Sequence, residues 1–135
     1  MPLLEWDSRY SVNIREIDRQ HETLFGLVNR LYDAMREGKG RSVVGGVLDE
    51  LVAYTAYHFQ TEEKLFRVHG YPDAAAHKAE HDALAAEART FAKRFEAQEI
   101  LVTTELLTFL RDWLNHHIVG SDKRYMEFLH EKGVR

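Results

Sequence analysis

The sequence predicts an all-α fold, an up-down-up-down antiparallel four-helix bundle behind a non-helical N-terminal arm. Three observations predict it. Apolar residues recur at spacings of three and four along four long segments. Only two prolines and eight glycines stand in 135 residues, so those segments run with few breakers. The connections between segments are short, which sets consecutive helices side by side and antiparallel.

The arm covers about residues 1–17, where Tyr10, Val12, Ile14 and Ile17 read as extended or looped. Asp18 reads as the N-cap of the first helix. That helix, about 18–37, aligns Leu24, Val28, Leu31 and Met35, and the same stripe extended backward meets His21. Gly38-Lys39-Gly40 ends it. The second helix, about 42–68, carries Val44, Val47, Leu48, Leu51, Thr55, Phe59, Leu65 and Phe66, with His58 and Glu62 on the same face. Gly70-Tyr71-Pro72-Asp73 turns the chain into a third helix, about 73–96, which reads His77, His81, Leu84, Ala88, Phe91, Phe95. A weaker polar stretch at Glu96 to Glu99 precedes the fourth, about 102–131, with Leu106, Leu110, Trp113, Leu114, His117, Ile118 and Tyr125 inward. No repeat or linker divides the chain, so residues 1–135 are expected to form one domain.

Composition excludes several function classes. Zero cysteine removes disulfide frameworks, zinc fingers, iron–sulfur clusters and thiol catalysis. Eighteen basic against 22 acidic residues give a net charge of −4, with no basic block to hold nucleic acid or an anionic membrane. No apolar run approaches the roughly 18 residues of a membrane span. The N-terminus lacks the basic start and apolar stretch of a secretory signal, so a cytoplasmic location is expected.

Polar residues fall where core belongs. Each helix aims at least one metal-capable side chain inward, and a buried carboxylate such as Glu62 is costly unless paired or metal-bound. No lysine or arginine shares its stripe. His58 and Glu62 are one turn apart on one face, and His77 and His81 repeat that spacing. His117 and Asp122 are five apart, which on a regular helix leaves them about 140° out of line. Either they reach around opposite sides of a metal site, or the helix loosens near Gly120 as in a π-bulge. His69 and His130 read as helix-end cations, and His116 as turned away from the interior. Glu63 and Glu80 read as a solvated face, and Phe59, Phe91, Phe95 and Trp113 as core packing.

This pattern resembles the hemerythrin family, specifically its single-domain bacterial members. The stretches that carry the resemblance are Trp6 with YSVNIREIDRQH to His21, HFQTEE from His58, GYPDAAAHKAEH to His81 and WLNHHIVGSD to Asp122. The family includes myohemerythrin, a four-helix bundle. The resemblance implies a non-haem di-iron centre. His77, His81 and His117 would bind one iron, and His21 and His58 the other. Glu62, Asp122 and an oxo or hydroxo group would bridge the two. His117 rather than His116 takes the fourth-helix role, because it precedes Ile118 and stands five before Asp122. Val12-Asn13-Ile14 departs from the Val-Gly-Ile common in relatives.

Two six-coordinate metals offer about twelve positions, and this ligand set fills about eleven, leaving one for dioxygen on the two-histidine iron. The implied function is reversible dioxygen binding, as carrier or store, and not enzymatic turnover. A histidine-rich donor set favours reversible electron transfer to dioxygen over O–O cleavage. Leu24, Phe59, Leu114 and Ile118 lie within about one turn of a ligand and are the expected walls of an oxygen pocket. Leu114 and Ile118 are expected to control access. The alternatives are an oxygen or redox sensor acting through a separate partner, and a di-iron enzyme acting on dioxygen, peroxide or nitric oxide. Iron storage is disfavoured, because fixed ligands saturate the site.

Overall fold

The arm is pinned before the first helix begins. The computed structural model describes residues 3–38, 41–97 and 104–135. Leu4 N–H donates to Asn29 Oδ1 (2.9 Å) and Asn29 Nδ2 donates back to Leu4 O (2.8 Å), which ties the arm to the helix it precedes. Trp6 and Tyr10 lay their rings edge-on to Phe25, with centroids 5.4 and 4.8 Å away. A single 3-10 turn, Ser8–Tyr10, lies in the arm, with Asp7 accepting from Arg9 N at its start. Asn13 has φ +56°, in the left-handed region that glycine and asparagine tolerate best. Asparagine therefore fits a position at which the resemblance implies glycine.

Helix α1 spans Arg15–Arg36, so it begins before the expected position and takes in Ile17. Its N-cap is Ile14, with no side-chain cap. Asp18 is not the cap. Its carboxylate reaches back past the helix start to accept from Val12 N (2.8 Å) and Ser11 Oγ (2.5 Å), fastening the arm's last residues instead. Helix α2 spans Arg41–His69 and α3 spans Ala74–Glu96. Between them Gly70, at φ +71°, closes α2, with Tyr71 N–H donating to Phe66 O (3.0 Å) in the bonding pattern of a Schellman cap. Helix α4 spans Thr104–His116 and runs unbroken into one π-helical segment, His117–Asp122, and then into α5, Lys123–Glu131. Residues 98–103, where the fourth helix was expected to start, lie outside the described residues.

These elements make a four-helix bundle, with α1, α2, α3 and the α4–α5 rod as its members. No strand occurs among the described residues, and no helix among them is long and apolar enough to cross a membrane. The apolar interior is split in two. One cluster includes Leu24, Phe59, Leu114 and Ile118, and the other includes Val12, Ile17, Phe66, Tyr71, Tyr125 and Leu129. Along α1 the buried order is Ile17, His21, Leu24. Along α2 it is Phe59, Glu62, Phe66, and on the fourth rod Ile118, Asp122, Tyr125. A polar layer thus sits between two hydrocarbon plugs, each of which shuts water out of it.

Candidate metal centre

Seven side chains meet in that layer, and all are buried: His21, His58, Glu62, His77, His81, His117 and Asp122. They fall into two donor groups, within each of which the candidate ligand atoms lie within 4.8 Å of one another. One group is Glu62, His77, His81, His117 and Asp122. The other is His21, His58, Glu62 and Asp122. Glu62 and Asp122 belong to both.

The two carboxylates link the groups differently. Asp122 turns Oδ1 toward His77 Nε2 (3.0 Å) and His117 Nε2 (3.1 Å), and Oδ2 toward His21 Nε2 (2.9 Å). Glu62 presents Oε1 to both His58 Nε2 (3.1 Å) and His81 Nε2 (3.2 Å), while its Oε2 accepts from the Tyr125 hydroxyl.

The π-helical segment explains how the fourth rod contributes twice. Lys123 N–H reaches Ile118 O, a five-residue step. In such a turn residues five apart stack on one side. His117 and Asp122 therefore face the centre together, and the loosened-helix alternative is the one the backbone adopts.

Three hydrogen bonds fix the imidazoles with one nitrogen inward. His58 Nδ1–H donates to Gln20 Oε1 (2.7 Å), and the Gln20 amide is itself oriented by donating to Glu16 Oε1 and Thr61 Oγ1. His81 Nδ1–H donates to Glu63 Oε2 (2.9 Å) and His117 Nδ1–H to Glu80 Oε1 (2.9 Å). With Nδ1 protonated, each Nε2 is a bare lone pair aimed at the centre. His81 Nε2 and His117 Nε2 then face each other at 3.2 Å. Two lone pairs at that distance repel unless a cation or a proton lies between them.

The remaining atoms tell the same story. His21 Nδ1 and Nε2, His58 Nε2, His77 Nε2, Glu62 Oε1 and both Asp122 oxygens are buried without a hydrogen bond. Unsatisfied buried polar atoms are rare, and the six of these that face the centre, all but His21 Nδ1, require a partner of another kind. Neighbouring ligand atoms at right angles on a metal with ~2.1 Å bonds lie roughly 3.0 Å apart, close to the separations seen here. The donor set fits a pair of cations.

Electrostatics agree. Burial resists charge on His117, yet the Asp122, Glu62 and Glu80 carboxylates overcome it and push its pKa up to about 10. Burial and the Asp122 charge oppose ionisation of Glu62, and the His58 and His81 contacts outweigh them, so it lies below the usual carboxylate range. Asp122 is likewise held low against burial by His117, His21 and His77. Without a metal, a proton on His117 supplies part of the positive charge that two buried carboxylates demand.

A family model, the hemerythrin HHE cation binding domain, matches residues 12–129. The chain belongs to the hemerythrin family. It is 41% identical over 126 residues to a bacteriohemerythrin of Methylococcus capsulatus, covering 93% of this chain and 95% of that one. Identity to a bacteriohemerythrin of Stenotrophomonas maltophilia is 39% over 127 residues, covering 94% and 82% of the two chains. A crystal structure of a wild-type hemerythrin superposes with a TM-score of 0.89 at 41% identity, over 94% of this chain and 98% of that one.

In this hemerythrin-family chain the four expected pocket walls, Leu24, Phe59, Leu114 and Ile118, are buried in one apolar cluster. Phe59 lies flat on His81, centroids 3.9 Å apart and planes 6° from parallel, and Trp113 stacks on His117 at 6.3 Å. Two expectations are corrected. Glu63 and Glu80 are not merely a solvated face, since each spans to a histidine on the next helix, and Glu80 also accepts from Ser121 Oγ (2.6 Å). Gln20, Ser121 and Tyr125 were not singled out as parts of the site. A shared signal could have found four of these residues: Gln20, Glu63, Glu80 and Ser121 each adjoin a candidate ligand in sequence.

Proposed function

We propose that this chain binds dioxygen reversibly, as carrier or store, at a non-haem di-iron centre. His77, His81 and His117 would hold one ion, His21 and His58 the other, with Glu62, Asp122 and an oxo or hydroxo group between them. The observation that carries the reading is the pair of buried donor groups sharing two carboxylates. Relatives named bacteriohemerythrin and a hemerythrin fold neighbour support it.

When loaded, the two irons would supply the electrons for reversible reduction of dioxygen. The chain's own residues make that reversibility possible. Gln20, Glu63 and Glu80 hold imidazoles in the metal-binding tautomer, and Tyr125 holds Glu62 in place through its hydroxyl. Phe59, Leu114 and Ile118 exclude water from above the layer, and Phe66 and Tyr125 from below it. A dry, proton-poor site slows the side reactions that would leave the centre oxidised. Most of the chain's close polar contacts around the centre go to fixing ligands, which suits binding better than turnover.

The test is spectroscopic. Freshly purified protein should carry two irons per chain. Anaerobic reduction followed by air should produce a visible charge-transfer band that fades when oxygen is withdrawn and returns over repeated cycles. Irreversible decay of the band with consumption of a substrate would favour the enzyme alternative.

A further inference from the structure

The outer supports of the centre follow a rule and then break it. Gln20 on α1 reaches His58 on α2, Glu63 on α2 reaches His81 on α3, and Glu80 on α3 reaches His117 on the fourth rod. Each support adjoins a candidate ligand. It precedes that ligand on α1 and α3 and follows it on the antiparallel α2, so all three side chains turn the same way round the bundle. The fourth link should run from the rod back to His21. On α2 the support follows the carboxylate Glu62, and the corresponding position on the rod, one after Asp122, is Lys123, which has no acceptor to offer; Ile118, after His117, has none either. His21 Nδ1 is accordingly buried without a partner.

The supports also differ in charge. His81 and His117 donate to carboxylates, and Ser121 holds the second of these. His58 donates to a neutral amide, and His21 Nδ1 has no acceptor. A carboxylate behind an imidazole draws its proton and makes the inward nitrogen a stronger donor, and such partners typically change metal affinity by roughly 10–100-fold.

We propose that the two halves of the centre are unequal by construction, with Glu63 and Glu80 making the three-histidine half the tight one. The half held by His21 and His58 fills last and empties first. The missing fourth link leaves His21 without a support at the cost of ligand strength. This rests on the di-iron reading above.

The test uses the iron-loaded full chain, reduced under anaerobic conditions and equilibrated with a graded series of a ferrous chelator. Retained iron is measured by metal analysis and folding by far-ultraviolet circular dichroism. The wild type should lose its two irons in separate steps. E63Q and E80Q should each weaken the later step by roughly 10–100-fold and leave the earlier one in place. S121A, which removes only the hydroxyl on Glu80, should shift that step the same way by less. Q20E, made in an E16Q background so that the new carboxylate does not face that of Glu16, should tighten the earlier step by a similar factor, a gain that a purely structural role for Gln20 would not produce. Loss of both irons in one step, a shift of the earlier step in E80Q or S121A, or an unchanged earlier step in Q20E would overturn the proposal. A wild type that holds fewer than two metals per chain would instead defeat the di-iron reading itself.

Discussion

Tyr125→Phe removes one hydroxyl and nothing else. Tyr125 is fully buried, and its ring packs against Phe66 (5.1 Å), His77 (5.6 Å) and Tyr71 (6.3 Å), contacts that phenylalanine keeps. No cavity opens, so the cavity penalty of a core truncation is absent. What is lost is the bond to Glu62 Oε2. A hydrogen bond to a charged acceptor contributes about 1.5–3 kcal/mol, and a buried carboxylate oxygen stripped of its donor retains its desolvation penalty. For a chain of 135 residues that corresponds to a fall in melting temperature of roughly 5–10 °C. The assay is thermal unfolding by circular dichroism, on loaded and metal-free protein alike. Tyr71→Phe, in the same aromatic cluster but without a hydrogen bond to either shared carboxylate, is the comparison and should shift less. A Tyr125→Phe melting temperature within about 1 °C of wild type would refute the idea that the hydroxyl holds Glu62 in place.

Other outcomes follow from the same layer. His77→Ala should lower iron content and loosen the fold, because Asp122 loses a partner while staying buried; full iron stoichiometry in this variant would remove His77 from the ligand set. Leu114→Ala should cost about 3 kcal/mol through the cavity it leaves. It should also speed autoxidation of the oxygenated protein, read as decay of the visible band, and an unchanged rate would take Leu114 out of the gate. In metal-free protein His117 keeps its proton up to about pH 10, against an ordinary value of 6.5. The resulting stabilisation is whole below about pH 6.5 and is lost as pH rises toward 10. Metal-free melting temperatures should therefore fall across that window while loaded protein, its charge supplied by metal, stays flat. Parallel curves would contradict the substitution of a proton for metal.

The seven central residues were legible because buried polar groups at helical spacing have few innocent explanations. His58 and Glu62, or His77 and His81, occupy steps where a leucine would serve a plain bundle. The supports were illegible for the opposite reason. Glu63 and Glu80 sit one residue off the inward stripe, about 100° round the helix, where a charged residue ordinarily faces water. Only the neighbouring helix, at the right height and in the right direction, turns such a residue into a hydrogen-bond partner. Tyr125 was read correctly as inward but as hydrocarbon, since nothing in its spacing shows that its hydroxyl meets Glu62. Asp18 misled in a related way. A side chain suited to capping a helix fastens the preceding arm, because the helix begins at Arg15 and leaves Asp18 in its first turn.

The π-helical segment ties these strands together. A continuous α-helix through residues 117–122 would keep His117 inward and swing Asp122 about 140° away from it. The shared carboxylate would leave the layer, and both donor groups would lose the atoms that join them. Glu80 would be affected less, because the residues its carboxylate accepts from, His117 and Ser121, are four apart and share a face on a regular helix as well. The π geometry is rare because its hydrogen-bond ladder is less favourable than that of an α-helix, and it tends to persist at functional sites. Here Asp122, facing three histidines, holds it. Deleting Gly120 would restore an α-helical register of four between the histidine and the aspartate. Such a variant should regain regular helix and, with the aspartate one turn from His117 as Glu62 is from His58, keep both facing the layer. Iron content well below wild type in the deletion protein would show that the wide turn itself is required.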